Sequence, residues 1–451
     1  MKATKIELYG FDALAEIESP PKSPTPTVAS DAGVLRETGP RGGDPLGLLG
    51  FREFGTATTK GSLNFEFTGG GKLDVPVFAN EFWTAKQRAA NRLHEISYRA
   101  CFKPQLTRFF IERLSLAGQI VYDPFMGRGT TLIESALVGR VPWGNDLNPL
   151  SIALVKPRLN PPLTGEVQQR LATIDFECPG HECPEELLVF YHPDTLRQIS
   201  ALKGYLARSR STAAFDRVDE WIQLVALNRL TGHSPGFFSV YTMPPNQAVT
   251  IQKQIQFNER RKQTPPRRDV PSLILKKTRA LLGDCGPTTR ERLAQVAPDS
   301  MLLTRPASRT PTISDNSVTL VVTSPPFLDV VNYATDNWLR CWFLGIDAKS
   351  VQLTVPRRLE DWQTAMMHVF RELHRVLEPG GHVVFEVGEV RNGTVRLEEV
   401  AIPCGVKAGL EPVLVLINQQ QFTKTANCWG VDNNEKGTNT NRVVLFRKGS
   451  K

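Results

Sequence analysis

Two short segments of the sequence carry residue types suited to one group-transfer reaction. Asp123-Pro-Phe-Met-Gly-Arg-Gly-Thr-Thr131 and Thr323-Ser-Pro-Pro-Phe327 each follow an apolar run typical of a buried β-strand. The glycines of the first segment let a backbone turn approach a ligand closely, and its aspartate is a candidate partner for an ammonium group. The second segment offers acceptors for an amino group. Together they predict a pocket for a methyl donor beside a pocket for an amino-bearing base.

The second segment could prepare an exocyclic amino group for methylation. Such a group on cytosine or adenine is a poor nucleophile, because its lone pair is delocalised into the ring. Acceptors that hold both amino hydrogens favour a pyramidal nitrogen, and the Ser324 hydroxyl and the Pro325 carbonyl are candidate acceptors. Pro326 makes the backbone rigid, and Phe327 could stack on an extruded base. The alternative is a proline-ended strand entering a loop.

The elements around these segments predict a doubly wound, Rossmann-like α/β sheet. Residues 120–122 are predicted as a strand, 132–138 as a helix opened by a Thr131/Glu134 capping box, and 141–146 as a second strand. Residues 317–323 are predicted as a further buried strand. Ligands of such sheets bind at the carboxyl ends of the strands, where both segments lie. A plain strand-to-helix turn is the alternative for the glycine segment.

The motifs resemble those of S-adenosylmethionine-dependent amino-methyltransferases of DNA. The residues that carry the resemblance are Asp123-Pro-Phe-x-Gly-x-Gly-Thr-Thr131, Asn145-Asp-Leu-Asn-Pro149 and Thr323-Ser-Pro-Pro-Phe327. A Ser-Pro-Pro-aromatic motif is typical of the bacterial N4-cytosine group, whereas N6-adenine members more often have Asp or Asn in place of the serine. The resemblance spans residues 80 to 160 and 300 to 448. It implies S-adenosyl-L-methionine as the donor and N4 of a flipped cytosine as the acceptor.

The resemblance also implies which residues bind the donor and the base. Ser324, Pro325, Pro326 and Phe327 are the expected catalytic residues. Donor-binding residues are expected before the first strand, along the glycine turn, after the second strand and at the end of the Ser-Pro-Pro strand: Phe102, Lys103, Pro104, Asp123, Phe125, Gly127, Gly129, Thr130, Thr131, Asp146, Asn148 and Thr323. Family members often carry an acid ahead of the Ser-Pro-Pro strand, where this sequence has Thr304-Arg-Pro. No contact to the donor adenine is therefore assigned.

Most of the net charge of +8 is concentrated between residues 251 and 280. The candidate DNA-binding residues there are Lys253, Arg260, Arg261, Lys262, Arg267, Arg268, Lys276 and Lys277. A basic face suits phosphate contacts, although a solvated helix surface is an equal alternative. Aromatic, Gly and Ser residues over 231–246 precede this run directly. We therefore predict a mainly helical target-recognition region, with a helical subdomain that braces the catalytic core as the alternative.

The length of 451 residues predicts more than one structural unit. We expect a loosely ordered arm over 1–75, the donor-binding part of the catalytic domain over 76–160, the inserted recognition region over 161–300, and the rest of the catalytic domain over 301–451. Seven scattered cysteines favour reduced thiols, and no apolar stretch indicates a signal peptide or a membrane span. A cytoplasmic protein without a metal site follows from these features.

Several functions remain open from the sequence. Double-stranded DNA is the expected partner, and a role in a restriction-modification system would add a cognate endonuclease that acts separately. The alternatives are methylation of adenine N6 in DNA, methylation of guanine N2 in RNA, and a non-catalytic DNA-binding module. The RNA enzymes typically carry Asp-Pro-Pro-Tyr-Gly, whereas Leu328 follows Phe327 here. The oligomeric state is not determined by the sequence.

Overall fold

A computed structural model describes residues 44–67, 71–83, 90–98, 103–177, 183–243, 248–327, 333–347, 356, 358–390, 395–419 and 440–450. The strands are β1 Thr59–Glu66, β2 Lys72–Asn80, β3 Ile120–Asp123, β4 Val141–Asn145, β5 Met301–Leu303, β6 Val318–Thr323, β7 Leu377–Val387, β8 Glu389–Val390, β9 Val395–Arg396, β10 Leu410–Gln419 and β11 Thr440–Lys448. Nine of them form one sheet in the order β1-β2-β10-β11-β7-β6-β3-β4-β5, and β8 pairs with β9.

The direction of the strands places one edge of the sheet at the site. β5, β4, β3, β6 and β7 are parallel, and β11 runs antiparallel between β7 and β10. The chain winds outward from β3 through β4 to β5 and then returns to β6 on the other side of β3, so the strand order reverses between β3 and β6. A crevice opens at such a reversal, outside the carboxyl ends of the strands. The predicted doubly wound α/β fold is confirmed.

Twelve helices are found in the described parts of the chain. They are α1 Pro104–Leu114, α2 Thr130–Leu137, α3 Leu150–Leu159, α4 Thr164–Thr173, α5 Pro193–Ser211, α6 Arg217–Arg229, α7 Ile251–Arg261, α8 Val270–Leu281, α9 Pro287–Val296, α10 Tyr333–Leu344, α11 Leu359–Val376 and α12 Leu397–Lys407. Helices α4 to α9 occupy the predicted insertion, which is therefore mainly helical. None of the described helices is long and apolar enough to cross a bilayer.

The inserted helices share a core with the donor-binding part of the domain. Leu132 and Leu154, on α2 and α3, are buried in the same apolar cluster as Trp221 of α6 and Ile274 of α8. The side chains of α4 to α9 therefore stabilise the elements that carry the glycine turn. A bracing role of the insertion follows from this packing, and target recognition by it stays a prediction.

An N-terminal hairpin extends the sheet beyond β10. β1 and β2 pair antiparallel, and β2 pairs parallel with β10. Val75 and Phe78 on β2 are fully buried. The prediction of a loosely ordered arm over 1–75 is wrong for residues 59–66 and 72–75, because these strands pair with each other and β2 pairs with β10. Residues 1–43 lie outside the described part of the chain.

The predicted capping box at the start of α2 is wrong. The N-cap is Gly129, with φ of 78°, and α2 begins at Thr130. The Thr131 hydroxyl donates to the Val322 carbonyl of β6 at 3.0 Å. The Glu134 carboxylate is buried and instead bonds other elements, as described below. Thr131 and Glu134 thus form hydrogen bonds with residues distant in the chain and do not cap the helix.

Candidate functional site

The glycine turn after β3 depends on two residues in the left-handed region. Gly127 has φ of 48° and Gly129 has φ of 78°, a conformation that side-chain-bearing residues rarely adopt. A Cβ atom on Gly129 would lie 2.4 Å from Cγ2 of Val155 on α3, whereas one on Gly127 would have no close contact. Gly129 therefore lets α3 pack against the turn, and Gly127 takes the left-handed conformation next to the Tyr98 ring.

Asp123 ties the glycine turn to the Ser-Pro-Pro strand. Its side chain is 1% exposed, and Oδ1 accepts hydrogen bonds from the Phe125 amide at 3.0 Å and from the Thr323 hydroxyl at 2.6 Å. Burial raises the pKa of Asp123 to about 7, against the opposing effect of these hydrogen bonds. Two predicted site segments that lie 200 residues apart in the chain are thus joined by one side-chain bond.

A second carboxylate, Asp146, follows β4 at the same edge. Its Oδ2 accepts from the Gly127 amide and its Oδ1 accepts from the Asn148 amide, each at 2.8 Å. Asn148 is buried and its Oδ1 accepts from the amide of Leu150, the first residue of α3. Burial raises the pKa of Asp146. Asp146 therefore connects the glycine turn with the loop after β4, as expected for a carboxylate that faces a ligand in the crevice.

The segment from Asn91 to Tyr98 lies over the glycine turn. The guanidinium of Arg128 donates to the carbonyls of His94 and Ile96 at 3.3 and 3.2 Å. Cε1 of Tyr98 lies 3.6 Å from the position a Cβ would take on Gly127. The turn and its cover are therefore linked by an arginine that belongs to the turn itself.

A buried ionic cluster anchors this cover to the helix behind the turn. His94 Nε2 lies 2.6 Å from Glu134 Oε1, and Arg108 Nε donates to Glu134 Oε2 at 2.7 Å. Burial raises the pKa of Glu134, but His94 and Arg108 lower it more, so the net change is a decrease. Burial lowers the pKa of His94. The sequence offered no signal for this cluster beyond one acidic residue in an apolar helix.

Residues predicted to close over the donor lie at the start of α1. Lys103 is the N-cap and Pro104 is the first helical residue, and the Pro104 carbonyl accepts from the Thr107 hydroxyl at 2.7 Å. Burial lowers the pKa of Lys103. Phe102, the third predicted residue, lies outside the described residues. Thr130 is buried and accepts from Arg128 Nε at 3.3 Å.

Trp362 and Gly388 contact the Ser-Pro-Pro turn, and neither was predicted from the sequence. Trp362, at the start of α11, donates from its indole nitrogen to the Pro326 carbonyl at 2.9 Å. The half-buried ring of Phe327 lies against Gly388, where an added Cβ would approach Cε2 to 3.1 Å.

Ser324 has a buried acidic neighbour. Glu386, on the adjacent strand β7, is 6% exposed and accepts from Asn441 Nδ2 at 3.0 Å. Burial raises the pKa of Glu386 to about 7, and the nearby Ser324 and Asn441 side chains oppose this rise only in part. Glu386 was absent from the predicted site, although an acid within the apolar run 382–387 was a usable signal.

The basic residues predicted to bind DNA differ in their surroundings. Five are exposed and have no carboxylate at ion-pair distance among the described residues: Lys253, Arg260, Arg261, Lys262 and Lys276. Arg267 pairs with Asp194 at 3.5 Å, and Arg268 is half-buried. Lys277 is 12% exposed and pairs with Glu95 at 3.5 Å. The predicted basic face is therefore carried mainly by α7 and the residue after it.

Aromatic rings support part of that face. Arg261 lies 4.0 Å from the ring centroid of Tyr241, and Arg260 lies 4.7 Å from that of Phe257. The two rings stack on each other at 6.1 Å. Such stacking orients guanidinium groups without neutralising them. Within the described residues, no group of three or more His, Cys, Asp or Glu side chains is arranged to hold a metal ion.

Comparisons with known proteins match parts of the chain. Residues 74–156 match the family model described as DNA methylase. The type II methyltransferase M.MvaI of Kocuria varians is 30% identical over 132 residues, which are 28% of this chain and 25% of that protein. The type II methyltransferase M.BsoBI of Geobacillus stearothermophilus is 22% identical over 293 residues, which are 57% and 53% of the two chains.

Among solved structures, TrmN from Thermus thermophilus superposes with a TM-score of 0.31 at 10% identity, over 79% of this chain and 51% of that one. The chain spans between a quarter and about half of the length of the two curated relatives. The matched family region, residues 74–156, contains the glycine turn and Asp146 but ends before the Ser-Pro-Pro turn.

Proposed function

We propose that this chain is a DNA methyltransferase that uses S-adenosyl-L-methionine to methylate N4 of a flipped cytosine. The observation that carries the proposal is the 2.6 Å hydrogen bond between the Thr323 hydroxyl and Asp123, because it sets the Ser-Pro-Pro turn directly beside the glycine turn. The match to the DNA methylase model and the similarity to type II methyltransferases support the same class of reaction.

The residues at the crevice suit such a donor. Asp123 and Asp146 are carboxylates at the carboxyl ends of neighbouring parallel strands, as a ligand with one ammonium group and two ribose hydroxyls would require. The Gly127 amide donates to Asp146. When bound, S-adenosyl-L-methionine supplies a methyl group made electrophilic by its sulfonium. The chain supplies the binding groups and the acceptor site.

Ser324 and Glu386 are the residues that we infer act on the amino group. When Glu386 is ionised it can accept a hydrogen bond from the Ser324 hydroxyl. The lone pairs of Ser324 Oγ are then left to accept a hydrogen bond from the amino group of the base. The Pro325 carbonyl accepts the second amino hydrogen. The amino group must lose one proton for each methyl it gains, and the Ser324 hydroxyl can relay that proton to Glu386. No covalent bond between enzyme and base is needed.

The rate of methyl transfer should depend on the ionisation of Glu386. Protonated Glu386 would donate to Ser324 rather than accept from it, so the rate is expected to fall as the pH drops through about 7. Glu386→Gln should be slow at every pH and lose this dependence. The matched control is Glu378→Gln, at the other end of β7, which should keep the wild-type profile. A wild-type-like pH profile in Glu386→Gln would contradict the role of Glu386.

One incubation tests the function itself. The protein is mixed with methyl-labelled donor and plasmid DNA, and the DNA is hydrolysed for nucleoside analysis. N4-methylcytosine is the expected product. N6-methyladenine would retain the class of enzyme and change the base, and labelling of RNA but not duplex DNA would contradict the proposed substrate. Digestion of the modified plasmid by restriction endonucleases then tests the proposed place in a restriction-modification system.

A further inference from the structure

Arg229, which was not among the predicted DNA-binding residues, forms a candidate anion site with Lys277, which was. Arg229, the last residue of α6, is half-buried. Its Nε donates to the Asn228 carbonyl at 2.9 Å and its Nη1 donates to the Gly236 carbonyl at 3.4 Å. Its guanidinium carbon lies 3.9 Å from the ring centroid of Phe237. Within the described part of the chain no carboxylate comes within ion-pair distance of Arg229.

Lys277 of α8 adds a second positive charge at the same segment of the cover, because Lys277 pairs with Glu95 and the residue before Arg229 accepts from the Ser97 amide. The only ion-pair partner of Lys277 among the described residues is Glu95, at 3.5 Å. Burial and the nearby Arg229 lower the pKa of Lys277, and burial lowers the pKa of Arg229 to about 10. Lys277 has one carboxylate partner and Arg229 has none within the described residues. This arrangement costs free energy unless an anion completes it.

The two cations lie close to the cover of the glycine turn. The Ser97 amide donates to Asn228 Oδ1 at 2.8 Å, one residue before Arg229 in the chain. Tyr98, the next residue of the cover, lies over Gly127. The loop that carries Phe237 is exposed at residues 233–235, next to the Gly236 carbonyl that accepts from Arg229.

We propose that Arg229 and Lys277 together bind one backbone phosphate of the DNA strand that carries the target base. The inference rests on the proposed function. A phosphate supplies the negative charge that Glu95 alone does not. Because Gly236 and Phe237 hold the guanidinium in place, its free N–H donors form a preset fork for phosphate oxygens. Arg229 and Lys277 lie near the cover of the glycine turn. This position suits contact with the backbone of a nucleotide whose base is rotated toward Ser324.

The test is the salt dependence of DNA binding. A fluorescein-labelled duplex of mixed sequence serves as the probe, since phosphate contacts do not depend on base sequence. Each lost phosphate contact reduces the slope of log K against log salt by about 0.9, which weakens binding about eightfold at 0.1 M salt. Because both cations hold the same phosphate, we expect this full change for the double variant Arg229→Gln/Lys277→Gln and a smaller reduction of the slope for each single variant. Arg229→Lys should keep the wild-type slope, because it keeps the charge.

Arg210→Gln is the matched control. Arg210 also lies over an aromatic ring, 4.2 Å from the centroid of Phe215, but Asp219 and Glu220 offset its charge. Its replacement should leave the slope unchanged. A wild-type slope in Arg229→Gln and Lys277→Gln would overturn the phosphate site, and a lowered melting temperature with that slope would make Arg229 a brace of its loop. Failure of the wild-type protein to bind duplex DNA would instead contradict the proposed function.

Discussion

Ser324→Ala is expected to lower the rate of methyl transfer to DNA by about 100-fold or more, while the affinity for the methyl donor stays within about twofold. The substitution removes the oxygen that accepts from the amino group and cuts the link to Glu386. Asp123 and the glycine turn keep their contacts, so donor binding should persist. Single-turnover rates with labelled donor, together with calorimetric titration of the donor, measure the two quantities separately.

Ser317→Ala is the control for this prediction. Ser317 precedes β6 at the opposite end from Ser324, and its hydroxyl donates to the Ser314 carbonyl at 2.7 Å on the exposed surface. Its replacement should leave both the rate and the donor affinity unchanged. Turnover like that of the wild type in Ser324→Ala would rule out the proposed acceptor site, whereas loss of donor affinity would make Ser324 part of the donor pocket.

Asp123→Asn is expected to weaken donor binding by roughly 10- to 100-fold at pH 8, because it removes the negative charge proposed to hold the donor ammonium. The amide oxygen can still accept from the Phe125 amide and the Thr323 hydroxyl. Binding of a cation favours the ionised carboxyl, so the affinity of the wild-type protein should fall as the pH drops below about 7. The affinity of Asp123→Asn should be independent of pH over the same range.

Melting temperatures separate this effect from unfolding. The pKa of Asp123 is higher in the folded protein than in the unfolded chain. Ionised Asp123 therefore lowers the free energy of unfolding above pH 7, and this cost disappears as the pH falls toward the pKa that Asp123 has in the unfolded chain. Asp123→Asn removes the cost and should not lower the melting temperature at pH 8. Asp299→Asn, an exposed change before β5, should alter neither quantity. Donor affinity equal to that of the wild type in Asp123→Asn would exclude Asp123 as the ammonium partner.

Local sequence pattern predicted the elements of the site with good accuracy. The strand predicted at 120–122 is observed as Ile120–Asp123, and the strand predicted at 317–323 as Val318–Thr323. Apolar runs of this length end at polar or glycine residues, and those ends place both motifs at the carboxyl edge of a parallel sheet. The helix predicted at 132–138 begins two residues earlier, because Gly129 rather than a capping side chain opens it.

Other features had no local signature. Trp362 bonds Pro326 across 36 residues of chain, and Glu386 reaches Ser324 only because β6 and β7 are neighbours. The hairpin β1–β2 was missed because its pairing partner, β10, lies more than 300 residues later in the chain. The density of basic residues likewise indicated Lys277 as a candidate DNA-binding residue. It did not indicate the ion-pair partner Glu95 or the nearby Arg229.

The α/β fold, the glycine turn and the Ser-Pro-Pro turn could be predicted from local sequence, since strand periodicity, glycine conformation and proline rigidity are properties of a few adjacent residues. The side chains that complete the site could not, because they come from segments that meet only in the folded chain. Glu386 beside Ser324, Thr323 on Asp123, and the unequal environments of the basic residues all follow from packing between distant segments. Burial and the resulting changes in pKa exist only once those segments meet.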